Sequence, residues 1–262
     1  MNTTSSSAST GSICVSVIDV GKGDCILVQV GETAVLIDTG YAETSGKVLS
    51  YLRNQGVTHL ESLVITHYDA DHIGGVRDIG KELSIGMVYL PGYEGTDKNY
   101  RTLVAALADT KLSAQQVSGQ LKLAVGNASM RLFPSSVSYS PGKKGEEGND
   151  NDMSLVAELH YGDDSYLFAG DIEKDGIEAF LQANYGRFDV LKVPHHGNKS
   201  PLSDELFESV QPQIAIITDS ADEPADKKTL KLLAQNGATA YCTSTSGTVV
   251  VQSDGAGHYT VA

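Results

Sequence analysis

Residues 62–75 read SLVITHYDADHIGG and join a short apolar run to a dense group of polar side chains. The run 62–66 is typical of a strand covered on both faces. Four side chains able to bind metal follow it within six residues: His67, Asp69, Asp71 and His72. In an extended segment, residues 67, 69 and 71 project to the same side, and His72 follows as helix 73–82 begins. Such carboxylates are unfavourable in a protein interior unless a cation compensates them, so the segment predicts a metal site.

Three other predicted strands end in residues of the same types. Asp38 closes strand 33–38, Asp171 follows strand 166–169, and His195-His196 follow strand 190–193. Taken singly, Asp171 could cap the next helix, and two adjacent histidines could lie on the surface. Taken together, polar residues at strand ends predict loops that converge on one site.

Hydrophobic periodicity predicts alternating strands and helices along nearly the whole chain. Each half opens with hairpins and continues with strand–helix alternation, which indicates two sheets stacked between helices. We expect residues 1–11 to be a disordered tail, 135–152 an exposed loop, and 12–262 a single domain. The predicted strands are 13–19, 25–30, 33–38, 62–66, 87–90, 121–125, 128–133, 154–160, 166–169, 190–193, 214–218, 239–242, 247–252 and 258–261; the predicted helices are 43–54, 73–82, 97–109, 173–184, 203–210 and 226–235.

Composition narrows the classes of function. The 262 residues carry 19 basic and 33 acidic side chains, a net charge of −14, which disfavours general adhesion to nucleic acid or anionic lipid but leaves a local groove open. No apolar run reaches the ~18 residues of a membrane span, and no export signal is recognisable, so we expect a cytoplasmic protein without a membrane partner. The three cysteines form no CxxC motif and are expected to be core residues.

The motifs LIDTG (36–40), THYDADHIGG (66–75), AGD (169–171) and VPHHG (193–197) together resemble the metallo-β-lactamase superfamily of hydrolases. The resemblance covers about residues 12–254 and implies an α/β fold, the αββα four-layer sandwich. A narrower resemblance is to the metallo-hydrolase domain of the bacterial competence DNA-uptake protein ComEC. It rests on VIDVGKGDCILVQV (17–30), NDMSLV (151–156), FAGDIE (168–173) and VLKVPHHGNKS (190–200) as well.

The resemblance implies a role for each matching residue. The family motif HxHxDH has Asp69 in place of its second histidine. His67 and Asp69 would then bind a first metal, and Asp71, His72 and His196 a second, with Asp171 bridging both. The family's remaining histidine is replaced near NDMS, where Asn151 or Asp152 could contribute an oxygen. His195 would contact substrate, and Asp38 and Lys192 would support the ligands, Asp38 by hydrogen bonds to the ligand histidines. Lys192, with Lys199 and Lys143-Lys144, could also offer a phosphate local positive charge. The catalytic residues would be Asp71, Asp171 and His195.

These assignments predict a hydrolase with two divalent metal ions, Zn²⁺ or alternatively Mn²⁺, that activate a hydroxide for direct attack. The predicted substrate is a phosphodiester, either a nucleic acid or a small molecule, while the oligomeric state stays open. The stretch DSADEPADKKT (219–229) lacks the Gly-His-Pro-like segment of ComEC-type domains, so features of DNA cleavage that depend on that segment are not implied. A metal-binding regulatory module with little turnover and an ester or amide hydrolase on the same fold are the alternatives.

Overall fold

Two β-sheets pack face to face in the computed structural model, which describes residues 11–142, 148–183 and 186–262. The first sheet has eight strands in the order β15-β14-β1-β2-β3-β4-β5-β6. Neighbours from β15 to β3 are antiparallel, and those from β3 to β6 are parallel. The strands are β1 (Ile13–Val17), β2 (Ile26–Val30), β3 (Thr33–Ile37), β4 (His59–Val64), β5 (Ser84–Pro91), β6 (Ala114–Val117), β14 (Val249–Ser253) and β15 (Tyr259–Val261).

The second sheet has seven strands in the order β13-β12-β11-β10-β9-β8-β7. It is parallel from β13 to β10 and antiparallel from β10 to β7. Each sheet therefore combines a hairpin part with a strand–helix part, as the alternation predicts. The strands are β7 (Leu121–Val125), β8 (Ala128–Phe133), β9 (Val156–Tyr161), β10 (Asp164–Phe168), β11 (Val190–Lys192), β12 (Ile214–Ile217) and β13 (Thr239–Cys242).

Helices cover the outer face of each sheet. Alternating residues of one strand serve two cores: Val28 of β2 packs between the sheets, whereas Leu27 packs beneath the helices of the first sheet. In β10, likewise, Tyr166 packs between the sheets, whereas Leu167 packs beneath the helices of the second sheet. This arrangement confirms the αββα sandwich. The helices are α1 (Ser45–Asn54), α2 (Ala70–Ile73), α3 (Val76–Glu82) and α4 (Lys98–Thr110) over the first sheet, and α5 (Lys174–Ala183), α6 (Ser203–Val210), α7 (Lys227–Gln235) and α8 (Thr243–Ser246) in the second half of the chain.

The structure corrects several element boundaries. The predicted helix 73–82 is two helices, α2 and α3, which are separated by Gly74 and Gly75, and both glycines pack directly on the neighbouring loop. A Cβ on Gly74 would lie 2.3 Å from the backbone N of Ala42. Strand β6 was not predicted, since its sequence AQQV lacks the apolar alternation of the other strands. The predictions for residues 1–10 and for Lys143-Lys144 lie outside the described residues.

Two further expectations concern the cysteines and the membrane. Cys14 and Cys25 are buried, and Cys242 is partly buried, so these thiols belong to the packed interior or its border. Among the helices of the described ranges, none is at once long enough and apolar enough to cross a bilayer.

Candidate metal centre

The polar segment after β4 is extended through Asp69 and becomes helical at Ala70, where α2 begins. Its backbone is held at both ends by other loops. The Leu155 N–H donates to the carbonyl of Thr66, and the Asp24 N–H donates to the carbonyl of Asp71. The loop that contains Gly23 approaches the backbone of Asp71 so closely that position 23 requires glycine: a Cβ there would lie 2.8 Å from the Asp71 carbonyl oxygen.

Four side chains of this region and of the second sheet converge on one point. His196 Nε2 lies 2.9 Å from Asp171 Oδ2 and 3.1 Å from Asp71 Oδ2. His72 Nε2 lies 3.3 Å from the same Asp171 oxygen and 3.7 Å from Asp71 Oδ2. The loops after β4, β10 and β11 thus bring two imidazoles and two carboxylates together across the two sheets.

Asp38 orients His72 within this group. Its Oδ2 lies 2.8 Å from His72 Nδ1, and its two oxygens accept hydrogen bonds from the backbone N–H and the hydroxyl of Thr66, at 2.8 and 2.7 Å. The Asp38 carboxylate therefore makes Nδ1 the proton-bearing nitrogen of His72 and leaves Nε2 facing Asp171. Asp38 adopts φ 57°, a left-handed conformation that these three contacts stabilise.

His196 is oriented by a chain of contacts that includes Asp24. His196 Nδ1 lies 2.9 Å from the Thr218 hydroxyl, which donates to Asp24 Oδ1 at 2.7 Å. Asp24 Oδ2 pairs with the Lys192 ammonium at 2.5 Å. Asp24, His72, Asp171 and His196 each have a ligand-type atom within 4.8 Å of the others, but Thr218 engages Oδ1 of Asp24 and Lys192 engages its Oδ2. We therefore assign Asp24 to the support of His196 rather than to the ligand set.

Lys192 is buried behind the cluster, in contact with the candidate ligand Asp171. It is 1% exposed, and its ammonium also lies 3.2 Å from Asp171 Oδ1 and 3.1 Å from the Gly170 carbonyl oxygen. This contact with Asp171 is the ligand-supporting position that the resemblance implies, and because Asp24 and Asp171 both engage the ammonium, its charge acts inside the protein rather than on a phosphate. Although burial alone lowers the pKa of this lysine, the two carboxylates raise it above its usual value.

His67 and Asp69 form a second, sparser group beside the first. His67 Nε2 lies 3.6 Å from Asp69 Oδ2, and the His67 and His72 ring centroids are 4.0 Å apart. His67 Nδ1 lies 3.1 Å from the Thr66 hydroxyl and 3.4 Å from that of Ser154. Ser154 also accepts the Asp171 N–H at 3.2 Å and so links both groups. Ser154 belongs to the NDMSLV motif, but nothing in the motif by itself indicates this role.

Asn151 and Asp152, the two candidate ligands near the position of the replaced histidine, have different surroundings in the structure. Asp152 Oδ1 accepts the backbone N–H groups of Glu173 and Gly176, both at 2.8 Å, at the start of α5. This is a helix-capping arrangement, and we remove Asp152 from the ligand candidates for that reason. Asn151 instead lines the pocket beside Asp69 and contacts the Glu173 carboxylate.

The cluster has the donor set that a divalent metal requires. The Nε2 atoms of His67, His72 and His196 are buried and lack hydrogen-bond partners, despite carboxylate oxygens 2.9 to 3.7 Å away. Buried polar atoms are rarely left unpaired, so these lone pairs fit metal ions better than direct hydrogen bonds. His and Asp ligands of this kind fit Zn²⁺ or Mn²⁺.

The protonation of the metal-free cluster reflects the same charges. Burial lowers the pKa of His196, but Asp171 and Asp71 outweigh that effect and raise it to about 9. Burial raises the pKa of Asp71, but His196 and His72 outweigh it and hold it at about 2. Without metal, the protonated imidazole of His196 therefore supplies the positive charge beside Asp71 and Asp171.

A pocket of about 480 Å³ opens beside Asp69. His195 lines it, whereas His196 does not, and His195 Nδ1 lies 2.9 Å from Glu173 Oε1. Four carboxylates also line this pocket, which makes it strongly negative. The described lining residues are Asp69, Thr96, Asp97, Gly142, Gly148, Asp150, Asn151, Glu173 and His195.

Comparisons with known proteins agree with the fold and the cluster. Residues 18–101 match the family model described as the Metallo-beta-lactamase superfamily. The chain is 27% identical over 258 residues to ComE operon protein 3 of Bacillus subtilis (strain 168), covering 90% of this chain and 32% of that protein. It is 31% identical over 215 residues to Recombination protein 2 of Haemophilus influenzae, covering 80% and 24%. The chain thus spans between a quarter and a third of the length of these relatives.

Solved structures show the same architecture. The metallo-beta-lactamase fold protein YhfI from Bacillus subtilis superposes with a TM-score of 0.59 at 11% identity, covering 92% of this chain and all of that one. The chain thus combines the fold of a superfamily of metal-dependent hydrolases with an Asp/His group that could hold a metal ion. Residues 18–101 are those of a metallo-β-lactamase superfamily domain by that family model, and the curated relatives of the chain are competence proteins of the branch that the motifs resemble.

Proposed function

We propose that this protein is a metal-dependent phosphodiesterase. The observation that carries the proposal is the convergence of His72, His196, Asp71 and Asp171 on one point, with both Nε2 atoms unpartnered. These four residues would hold one divalent ion, and His67 with Asp69 would contribute to a second. When bound, such ions polarise a phosphoryl oxygen and lower the pKa of water toward 7.

Asp171 is the residue suited to serve both ions. Its Oδ2 faces the imidazoles of His72 and His196, while its Oδ1 contacts Lys192. Asp171 would therefore help to hold both ions while it keeps its contact with Lys192. The second group offers a single imidazole, so we propose that it binds metal more weakly than the first, with Zn²⁺ as the expected ion and Mn²⁺ as the alternative.

The chain's own residues would orient the substrate. His195 lines the pocket beside Asp69, where it can donate to or accept from a phosphodiester oxygen. The catalytic set is then Asp71, Asp171 and His195. We place this activity in residues 12–262 as one domain, and the cytoplasmic location stays a prediction.

Two observations favour different phosphodiesters. The competence-type relatives favour a nucleic acid as substrate. The pocket carboxylates Asp97, Asp150 and Glu173 favour a small substrate with a single phosphodiester, because they repel additional phosphates. We therefore propose a phosphodiesterase and keep both substrate classes open to test.

The test is an activity panel with metal analysis. The chelated protein would be reloaded with Zn²⁺ or Mn²⁺ and assayed on single-stranded DNA, duplex DNA, a cyclic nucleotide, bis(p-nitrophenyl) phosphate, p-nitrophenyl acetate and a β-lactam. Hydrolysis of any phosphodiester, lost on chelation and in Asp71→Ala, supports the proposal. Turnover of the acetate or β-lactam alone would refute it in favour of another hydrolase. Stoichiometric metal without turnover would indicate a regulatory module.

The same panel separates the two substrate classes. In Asp97→Asn and Asp150→Asn, less negative charge lines the pocket, so a nuclease should cleave DNA faster. Glu205→Gln, at an exposed position of α6, is the control for loss of one negative charge elsewhere. Faster DNA cleavage in the pocket variants alone would support nucleic acid; activity confined to the small diester would support the other class.

A further inference from the structure

The loop after β11 contains two consecutive residues in the left-handed region. His195 has φ 48° and ψ 49°, His196 has φ 53° and ψ 26°, and Gly197 follows at φ 78°. The two rings are 6.0 Å apart and nearly perpendicular. One ring enters the buried cluster, and the other enters the pocket, so this backbone separates two histidines that are adjacent in sequence.

The backbone of His195 is held on both sides. Its N–H donates to the carbonyl of Gly170 at 3.3 Å, and its carbonyl accepts the N–H of Asn198 at 2.8 Å. The side chain is 26% exposed, and one of its nitrogens is already engaged: Nδ1 lies 2.9 Å from Glu173 Oε1. A fixed backbone combined with one fixed ring nitrogen restricts the imidazole to one orientation.

Glu173 is itself held in place. Its backbone N–H donates to Asp152 Oδ1 at 2.8 Å, immediately before α5 begins at Lys174. Its carboxylate also contacts the Asn151 side chain, and the hydrogen bond from His195 lowers the pKa of Glu173 below its usual value. Because a carboxylate accepts hydrogen bonds, the nitrogen that faces it must carry the proton.

We propose that Glu173 is a positioning residue that fixes the Nδ1–H tautomer and the ring orientation of His195, so that Nε2 is the nitrogen offered to a phosphoryl group in the pocket. This inference rests on the proposed function for the identity of the ligand, but its structural part does not. Neither Glu173 nor its contact with His195 binds metal, so the cluster should load normally when Glu173 is changed.

The test uses the full chain and three variants. Glu173→Ala removes the acceptor, whereas Glu173→Gln keeps an amide oxygen able to accept from Nδ1–H. Glu178→Gln makes the same substitution at an exposed position of α5 outside the pocket and serves as the matched control. Metal content of each purified variant, measured by mass spectrometry, should equal that of the wild type.

Long-range ¹H–¹⁵N spectra of the metal-free protein report the tautomer without any need for turnover. We expect the Nδ1–H form of His195 in the wild type, Glu173→Gln and Glu178→Gln, and a shift toward Nε2–H in Glu173→Ala. Inorganic phosphate added to the wild type should perturb the His195 Nε2 resonance. An unchanged tautomer in Glu173→Ala overturns the inference, whether or not a substrate is found.

Kinetics supply the second readout. On an active phosphodiester, Glu173→Ala should lose about 10- to 100-fold in kcat/KM, as outer partners of functional histidines commonly do, and Glu173→Gln should recover most of that loss. In a His195→Ala background the Glu173→Ala change should have no further effect. An additive loss would mean that Glu173 acts independently of His195 and would overturn the proposal. Absence of all turnover would refute the proposed function while the spectra still decide the role of Glu173.

Discussion

Replacing Lys192 with methionine should strongly destabilise the metal-free protein. The ammonium is 1% exposed and contacts Asp24 at 2.5 Å, Asp171 at 3.2 Å and the Gly170 carbonyl at 3.1 Å. Methionine keeps the length of the side chain but leaves two buried carboxylates without this cation. Loss of one partner from a buried ion pair costs about 3–5 kcal/mol of unfolding free energy. That is a large share of the roughly 5–15 kcal/mol by which typical domains are stable.

An exposed ion pair in the same protein provides the control. Lys47 lies 2.7 Å from Asp19, but the two side chains are 53% and 30% exposed. Screening by water limits such a pair to about 0–1 kcal/mol, so Lys47→Met should change stability little. The comparison isolates burial, because the substitution and the type of pair are the same.

The assay is urea unfolding of the chelated proteins, followed by circular dichroism. The double variant Asp24→Asn with Lys192→Met should be less destabilised than Lys192→Met alone, because one of the uncompensated charges is gone. Added Zn²⁺ should restore part of the loss, since metal binds the folded cluster. A Lys192→Met loss below about 1 kcal/mol, equal to that of Lys47→Met, would refute the idea that this lysine compensates the carboxylates.

Three further predictions concern the metal ligands. Asp71→Ala should abolish hydrolysis and keep the circular dichroism spectrum of the wild type, because this residue lies in the cluster rather than the apolar core; near-normal rates would place the site elsewhere. His196→Ala should lose metal as well as activity, whereas His195→Ala should lose activity with metal retained; the reverse result in metal analysis would exchange their roles. Metal affinity should rise from pH 6 to about pH 9, the pKa of His196, because metal must displace its proton; calorimetry in two buffers measures that release, and an affinity independent of pH would contradict it.

Local pattern was enough to predict the layers of the fold and much of the cluster. Strands such as β2 and β10 read as apolar because both faces are covered, and that property is visible in the chain itself. The segment from His67 to His72 holds four side chains able to bind metal within six residues. Asp171 and His196 follow strand ends, so the sequence indicated them before their contacts were known.

Contacts between distant residues decided the rest. Asp24 lies in a glycine turn that looks ordinary, and its partners Lys192 and Thr218 come more than 160 positions later in the chain. Asp152 and Asn151 are neighbours of similar chemistry, yet one caps α5 and the other faces the pocket, because the short helical turn that contains both directs their side chains apart. Sequence determines which side chains are available at each strand end. Their burial and their partners depend on how the two sheets pack. The contacts of Lys192 with Asp24 and Asp171 are therefore visible only in the packed structure.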